Sequence, residues 1–368
     1  MTKESVSLCV FVWMGANVGL HVVVRRLNGV VMRGKEVVEQ PVRLSDLTER
    51  LTKESVDFVR RNAKKKKPFL ALVSFHKVHV PLSSREPFLG KSDHGLYGDN
   101  VEEVDWSVGQ VLHQLKASGV ENDTLVYFTS DHGPDTSEGF AGVRYGGWTG
   151  GLKGGKGNNY EGGIRVPTLA MWPGVIKQGS LYSKPTSSMD LFPTLAYVAH
   201  SKLPKNVVID GKNFLPRISS KSSQLSEGSE TGERFIFHYC GTAMAGVTYA
   251  PPDDDDEHIW KLHYQIPEWP TGKDHFTENA VRCFGDGIKV LKEPLLYDLS
   301  VDKSEQHPLI STDDVYTKVV SKINEAVVRH KSSVTLVDGQ LTLEKQRPRL
   351  SRIHCCNPPW CSCRETTH

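Results

Sequence analysis

The sequence predicts an α/β fold, followed by a smaller antiparallel α+β subdomain and a cysteine-rich tail. Three observations carry this. Helix-patterned and apolar strand-like segments alternate from Ser45 to His200. After Gly211 short β-rich runs separated by turns replace that alternation. Four of the seven cysteines, Cys355, Cys356, Cys361 and Cys363, fall in the last fourteen residues. Alternation of the first kind places a sheet between helices, with ligands beyond the carboxyl ends of the strands.

The elements follow in order. Leu47, Leu51, Val56 and Val59 recur near the helical period, which predicts a helix over Ser45–Lys64. Its closing run Lys64–Lys67 suits the negative end of the helix dipole. Pro68–Phe75 is a short apolar run bounded by proline and predicts a buried strand of the parallel-sheet type. A second helix is expected over Asp99–Lys116, with Val101, Val104, Val108, Val111, Leu112 and Leu115 on one face. Thr124–Phe128 and Val166–Trp172 predict further buried strands, and Ser188–His200 a helix. Ser219–Glu233 is a polar Ser/Gly linker. Phe235–Tyr239, Trp260–Gln265, Gly287–Leu291 and Leu295–Leu299 read as four short strands, with one helix near Val315–Val328. Asp253–Asp256, between two of those strands, reads as a solvated loop.

The 368 residues are 38% hydrophobic and 24% charged, which excludes a disordered chain and a general membrane protein. A formal net charge of +2 argues against nucleic-acid binding carried by bulk charge. Ser5–Val24 contains no charged residue when His21 is neutral, and Arg25-Arg26 close it, a length that just spans a bilayer. Residues 5–24 therefore predict a membrane-associated segment, with a signal peptide or an interfacial helix as alternatives. The terminal C-C…C-x-C pattern fits either short-loop disulfides of an oxidising compartment or a four-thiolate zinc site, although adjacent cysteines suit zinc spacing poorly. Asn122-Asp123-Thr124 is an N-glycosylation sequon, consistent with a secretory route.

Three stretches could carry chemistry. In Ser74-Phe75-His76-Lys77-Val78-His79-Val80-Pro81, two histidines three apart leave a predicted strand; such a pair can act as acid/base groups, metal ligands or structural residues. In Thr129-Ser130-Asp131-His132-Gly133, a carboxylate and an imidazole leave a strand into glycine. The carboxylate suits calcium or magnesium and the imidazole zinc, and a plain capped turn is the alternative. In Gly154-Gly155-Lys156-Gly157-Asn158-Asn159-Tyr160-Glu161-Gly162-Gly163, glycines let the backbone approach an anion and give Lys156 a defined position. It lacks the P-loop pattern because Gly157 follows the lysine. Lys153 competes with Lys156 for the anion-binding role.

The order S-F-H-x-x-H-x-P, F-T-S-D-H-G, G-G-K-G-N-N-Y-E-G-G-I-R-V-P and P-T-S-S-M-D-L-F-P-T-L resembles the sulfatases of the alkaline-phosphatase superfamily. More narrowly it is similar to the steroid sulfatase and arylsulfatase D/E/F/H group, from about Val22 to the last residue. The resemblance implies an incomplete alkaline-phosphatase-like sandwich and a calcium-dependent hydrolase of aryl or steroid sulfate esters. It divides the chain into a hydrophobic segment at 1–34 (a remnant of a membrane hairpin helix), a partial catalytic domain at 35–218, a C-terminal subdomain at 219–345 and a disulfide-rich tail at 346–368. Lys156 takes the place of the sulfate-binding lysine and His79 that of the histidine that protonates the leaving oxygen. Asp131 matches the acidic calcium ligand of the family, and His132 takes the position of the neighbouring ligand, often Asn or Gln. Lys77 stands where relatives often have another histidine. The implied disulfides are Cys240–Cys283, Cys355–Cys361 and Cys356–Cys363, which leaves Cys9 odd. The implied location is the secretory pathway, in endoplasmic reticulum, Golgi or lysosome, with membrane association through residues 5–24.

The family nucleophile is a formylglycine made from the cysteine of C-x-P-S-R or C-x-A-x-R, and none of the seven cysteines has that context. The acidic pair that completes the calcium site is missing too. The chain thus reads as the carboxyl-terminal portion of a sulfatase, inactive by itself. The alternatives are a non-catalytic sulfatase-like interaction protein or a truncated gene-model fragment. A metal-dependent phosphohydrolase is disfavoured, because only Asp131-His132 offers metal ligands in good context.

Overall fold

A computed structural model describes residues 29–137, 139–140, 143–219, 232–252, 257–269, 283, 285, 287–337, 353–358 and 360–364. The predicted membrane segment at 5–24, most of the Ser219–Glu233 linker and Asp253–Asp256 lie outside them. Among the described residues no helix is long and apolar enough to cross a membrane. The chain forms two compact units: residues 1–57, 70–110 and 338–368, and residues 58–69 with 111–337.

The first unit holds a three-stranded antiparallel sheet of β1 (Val31–Arg33), β2 (Glu36–Gln40) and β11 (Cys363–Arg364), in the order β1-β2-β11. Gln40 at the end of β2 is buried and serves the tail twice. Its amide donates to the His354 carbonyl at 3.1 Å and accepts the Cys356 N–H at 3.1 Å. The Cys355–Cys361 and Cys356–Cys363 disulfides close the tail around that anchor. So short a segment buries little apolar area, and cross-links of this kind substitute for a core.

Helix α1 (Leu47–Lys64) and helix α2 (Gly95–Ala117) each begin in this unit and end in the second. The Asp99 carboxylate accepts the backbone N–H groups of Gly90, Lys91 and Ser92 at 2.9–3.1 Å, and these bonds hold its pKa below the usual carboxylate range. The apolar face expected of α2 is buried at Leu115 and part-buried from Val104 to Leu112, but its most deeply buried positions further towards the start are polar. Val101 is 45% exposed, whereas Asn100, Glu103 and Ser107 are buried. Polar pairing explains the difference: the Ser107 hydroxyl meets that of Thr52 on α1 at 2.5 Å, and Glu103 pairs with Lys77.

Pro68–Phe75 also departs from expectation. It forms no strand, and Leu70 and Leu72 are 71% and 89% exposed. A strand buried on both faces needs a ladder neighbour, and no ladder among the described residues includes this segment.

In the second unit β3 (Val126–Thr129) pairs antiparallel with β6 (Thr168–Met171), and β4 (Gly139–Phe140) with β5 (Val143–Arg144). A turn of helix, α3 (Glu161–Ile164), precedes β6. The expected helix at 188–200 is a 3₁₀ turn running into α4 (Leu191–Val198), started by a capping box between Ser187 and Asp190. Asp190 also accepts the guanidinium of buried Arg234 at 2.5 Å and so ties α4 to the following sheet. A short helix, α5 (Leu215–Ile218), precedes that sheet.

The sheet has four antiparallel strands in the order β10-β9-β8-β7: β7 (Arg234–Cys240), β8 (Ala243–Ala250), β9 (Trp260–Pro267) and β10 (Ile288–Asp298). Helix α6 (Asp314–Ser333) covers it. Val247, Leu262, Leu296 and Ile323, all 0% exposed, form the centre of the core with Met244, Tyr249, Trp260, Tyr316 and Val327. The two strands expected at 287–299 are one, with a register shift between Val290 and Leu295. Strand β8 was not expected. Its residues 244–250 are all buried, so Ala-Met-Ala-Gly-Val-Thr-Tyr-Ala shows no alternation to read.

Truncating Leu262 to alanine should lower stability by about 2–5 kcal/mol, because the cavity stays dry and cannot collapse within a sheet. Leu72→Ala, at a highly exposed position, should change it by less than about 0.5 kcal/mol. Urea denaturation of both variants checks the contrast; comparable losses would mean the 70–75 segment is packed.

Candidate functional site

The site in the second unit starts where β3 ends. Ser130, Asp131, His132 and Gly133 form a tight turn in which the His132 N–H donates to Asp131 Oδ1 at 3.0 Å. The His132 ring lies with Nε2 3.4 Å from Asp131 Oδ2 and Nδ1 2.7 Å from the Gly133 carbonyl, so Nδ1 carries the proton of that bond. The Asp131 side chain is 83% exposed.

The glycine–lysine loop is bolted to this turn through backbone. The Gly133 N–H donates to Gly163 O at 2.8 Å, the Lys156 N–H to Pro134 O at 2.9 Å, and the Gly162 N–H to Lys153 O at 2.8 Å. A Cβ on Gly133 would stand 1.9 Å from Gly162 O, so only glycine permits the approach. On the other flank the Cys283 N–H donates to Gly157 O at 2.7 Å, and Cys283 is disulfide-bonded to Cys240 at the end of β7. The strand-exit pair Asp131-His132 and Lys156 thus belong to one assembly.

Beneath it lies a polar network that the reading of the sequence missed. Lys261 and His263 project from β9, and each is 0% exposed, as is Glu305. The Lys261 ammonium is 2.8 Å from Glu161 Oε1 and 3.3 Å from Glu305 Oε1. Glu305 Oε2 accepts the Glu161 N–H at 2.6 Å. The Asn159 amide donates to His263 Nδ1 at 2.9 Å, which leaves Nε2–H to donate to Glu305 Oε1 at 2.6 Å in a neutral imidazole. Burial drives the His263 pKa down, against Glu305. Burial pushes Glu305 up, but the Lys261 charge, the His263 hydrogen bond and charge and the Glu161 N–H outweigh it and hold the carboxyl at about 2. A lysine and a histidine two apart in the apolar run Trp-Lys-Leu-His-Tyr were the one available signal.

Lys153 takes part in that network rather than facing an anion. Its ammonium donates to the Glu305 carbonyl at 3.4 Å and lies 4.5 Å from the Tyr160 ring centre. Burial lowers its pKa, against Glu305 and Asp302.

The histidine turn lies in the first unit. The His79 N–H donates to His76 O at 3.2 Å and its ring Nδ1 to Val80 O at 2.7 Å. Lys77 is buried and ion-paired with Glu103, which also accepts the Ser84 hydroxyl at 3.2 Å. Burial, then the Lys77 charge, lowers the His76 pKa. Lys77 is thereby committed to a carboxylate and not to a substrate anion.

Among the described residues no group of three or more His, Cys, Asp or Glu side chains could hold a metal ion. Calcium takes six to eight oxygen donors. Asp131 supplies one carboxylate and His132 a nitrogen, so this pair does not by itself make a calcium site. The three disulfides are Cys240–Cys283, Cys355–Cys361 and Cys356–Cys363, the pairs implied by the resemblance.

The Sulfatase family model matches residues 24–201, and a second, for the C-terminal region of aryl-sulfatase, matches residues 231–365. Arylsulfatase D of Homo sapiens is 38% identical over 347 residues, covering 93% of this chain and 57% of that protein. Steryl-sulfatase of Homo sapiens is 40% identical over 322 residues, covering 86% and 54%. The chain therefore spans little more than half the length of these relatives. The crystal structure of PsFucS1 sulfatase from Pseudoalteromonas sp. superposes with a TM-score of 0.69 at 21% identity, over 88% of this chain and 62% of that one, and shows the same fold.

The buried groups set an acid limit on the second unit. His238, packed near Lys261 and His263, has its pKa lowered from 6.5 to about 3 by burial first and then by those neighbours. Between those values the unfolded chain binds a proton that the folded chain refuses, so stability is full above about 6.5 and falls as pH drops towards 3. The loss is about 1.4 kcal/mol per pH unit for this residue. Glu305, lowered from 4.5 to about 2, adds a loss in the same direction below 4.5. Urea midpoints measured from pH 7 to pH 4 should decline, and His238→Gln should flatten the decline by about one proton; an unchanged slope would contradict the assignment.

Proposed function

The chain belongs to the sulfatase family, and from that premise we propose that its glycine–lysine loop binds the sulfate group of an ester. The observation that carries this is the backbone bond from Lys156 to Pro134, with its companion from Gly133 to Gly163, which fixes the lysine loop against the Asp131 turn. A lysine whose backbone is fixed among glycines can supply charge, and its neighbours N–H groups, to a tetrahedral anion.

In the proposed division of labour Lys156 neutralises sulfate oxygens and orients the sulfur–oxygen bond. By resemblance His79, in the first unit, takes the family's proton-donor role, with its Nδ1 engaged by Val80 O. Asp131 contributes one carboxylate towards calcium. That ion would offset sulfate charge in the family's chemistry, but the other donors it needs are not among these residues.

Attack on sulfur has no agent in these 368 residues. Six of the seven cysteines are in disulfides, and Cys9 lacks the C-x-P-S-R or C-x-A-x-R context. The span as it stands is thus a sulfate-ester binder of hydrolase lineage, without turnover of its own. The disulfides and the exposed Asn122 sequon support a secretory compartment. At that sequon Trp172 bonds the backbone carbonyl rather than the side-chain amide. Residues 5–24 are proposed to contact a membrane, and aryl or steroid sulfates are the proposed substrate class.

Isothermal titration with inorganic sulfate should show binding that Lys156→Ala weakens at least about tenfold, the range for a hydrogen bond to a charged group. Hydrolysis of 4-methylumbelliferyl sulfate with calcium should stay at background. Equal sulfate affinity in the variant would remove Lys156 from the site, and turnover at the level of an intact sulfatase would refute the missing nucleophile. Chain expressed through a secretory route should lose mass on treatment with an endoglycosidase, and Asn122→Gln should abolish that shift; an unmodified wild-type chain would exclude glycosylation at Asn122.

A further inference from the structure

One exposed aromatic side chain beside this loop has no role in sulfate binding. Trp148 is 80% exposed, in the run Gly146-Gly147-Trp148-Thr149-Gly150-Gly151 that leads into Lys153 and Lys156. An indole is a large apolar surface that proteins mostly hide. Exposure on a loose loop tip would be incidental, but this loop is held at several points.

At its start, a Cβ on Gly146 would fall 2.1 Å from Asp135 O, so the backbone lies directly against the residue that follows Pro134. Next to the indole, Thr149 is buried, and its hydroxyl donates to Leu152 O at 2.8 Å. Gly150 and Gly151 turn the chain at φ of +70° and +85°, values that other residues rarely adopt. The Ser304 hydroxyl then clamps Gly151 O at 2.9 Å, next to Glu305 of the buried network.

The consequence is a juxtaposition. Pro134 O holds the Lys156 N–H, and the next carbonyl along, Asp135 O, packs against Gly146. Two consecutive residues thus support both the lysine and the tryptophan loop. We propose that Trp148 is a stacking platform for the aromatic ring of an aryl sulfate whose sulfate group is held by Lys156. This rests on the sulfate-binding reading and adds the organic half of the ligand to it. A planar ring on an exposed indole gains dispersion and apolar burial, and aromatic stacking of this kind is commonly worth about a tenfold change in affinity.

The test is isothermal titration of the full chain and its variants with 4-methylumbelliferyl sulfate and, separately, with inorganic sulfate. The wild-type chain should bind the aryl ester about tenfold more tightly than the inorganic ion. Trp148→Ala should lose that preference and keep its affinity for inorganic sulfate, and Trp148→Phe should retain the preference to within about threefold. An unchanged thermal melting curve, expected at so exposed a position, confirms that the alanine variant is folded. The proposal falls if Trp148→Ala still prefers the aryl ester, or if the wild-type chain binds both ligands equally. If neither ligand binds the wild-type chain, the sulfate-binding reading fails and this one with it. Lys156→Ala separates the two failures, because it should lose both ligands where Trp148→Ala loses only the aryl increment.

Discussion

The placement of the lysine loop depends on a cluster of charge that water never reaches. Glu161, Glu305 and Lys261 are buried together, with His263 kept neutral beside them. Taking such ions out of water costs several kcal/mol each, and mutual pairing returns that only when every donor and acceptor is used. Here the ammonium meets two carboxylates, Glu305 also takes a backbone N–H and an imidazole N–H, and that imidazole is oriented by Asn159. Removing one member would strand the rest, so the cluster defines a single arrangement even if it adds little net stability.

A single arrangement matters because glycines cannot be held by side-chain packing. Gly154, Gly155, Gly157, Gly162 and Gly163 present only backbone to their surroundings. Their neighbours Asn159, Tyr160 and Glu161 are buried and carry the side-chain contacts for them. Once Glu161 is pinned to β9 and Glu305, the carbonyls and N–H groups of the following glycines reach Gly133 and Lys153 at hydrogen-bond distance. The C-terminal sheet is therefore part of the scaffold of the glycine–lysine loop. The disulfide from Cys240 to Cys283 repeats the connection on the far side of Lys156, through Gly157.

Much of this was legible in the sequence and some was not, for definable reasons. Helices announced themselves by apolar period, and the Asp131-His132 turn and the Lys156 loop, which backbone bonds join, by their glycines. Strand β8 was silent because burial on both faces erases alternation. The apolar period of α2 did not report the buried polar residues beside it, Ser107 and Glu103, whose burial depends on partners elsewhere in the chain. Pro68–Phe75 has the composition of a core strand yet lies outside every described ladder, since apolar composition states a demand for partners without supplying them. The contacts of Lys261 with Glu161, of His263 with Glu305 and of Glu161 with Glu305 join residues 42 to 144 positions apart, a distance at which no periodicity reports.

The lysines show why partners outweigh residue type in assigning chemistry. Lys77, Lys153 and Lys261 all sit beside histidines or glycine loops and would each pass as an anion-binding residue by sequence. Glu103 neutralises the first, the Glu305 carbonyl and the Tyr160 ring occupy the second, and two carboxylates enclose the third. A buried ammonium so matched has already exchanged water for protein and gains nothing further from a sulfate. At Lys156 it is the backbone that is held, by Pro134, between flanking glycines. Cleavage of a sulfur–oxygen bond asks for more than a charged group, because it requires a nucleophile. A cysteine already oxidised to a disulfide cannot supply one.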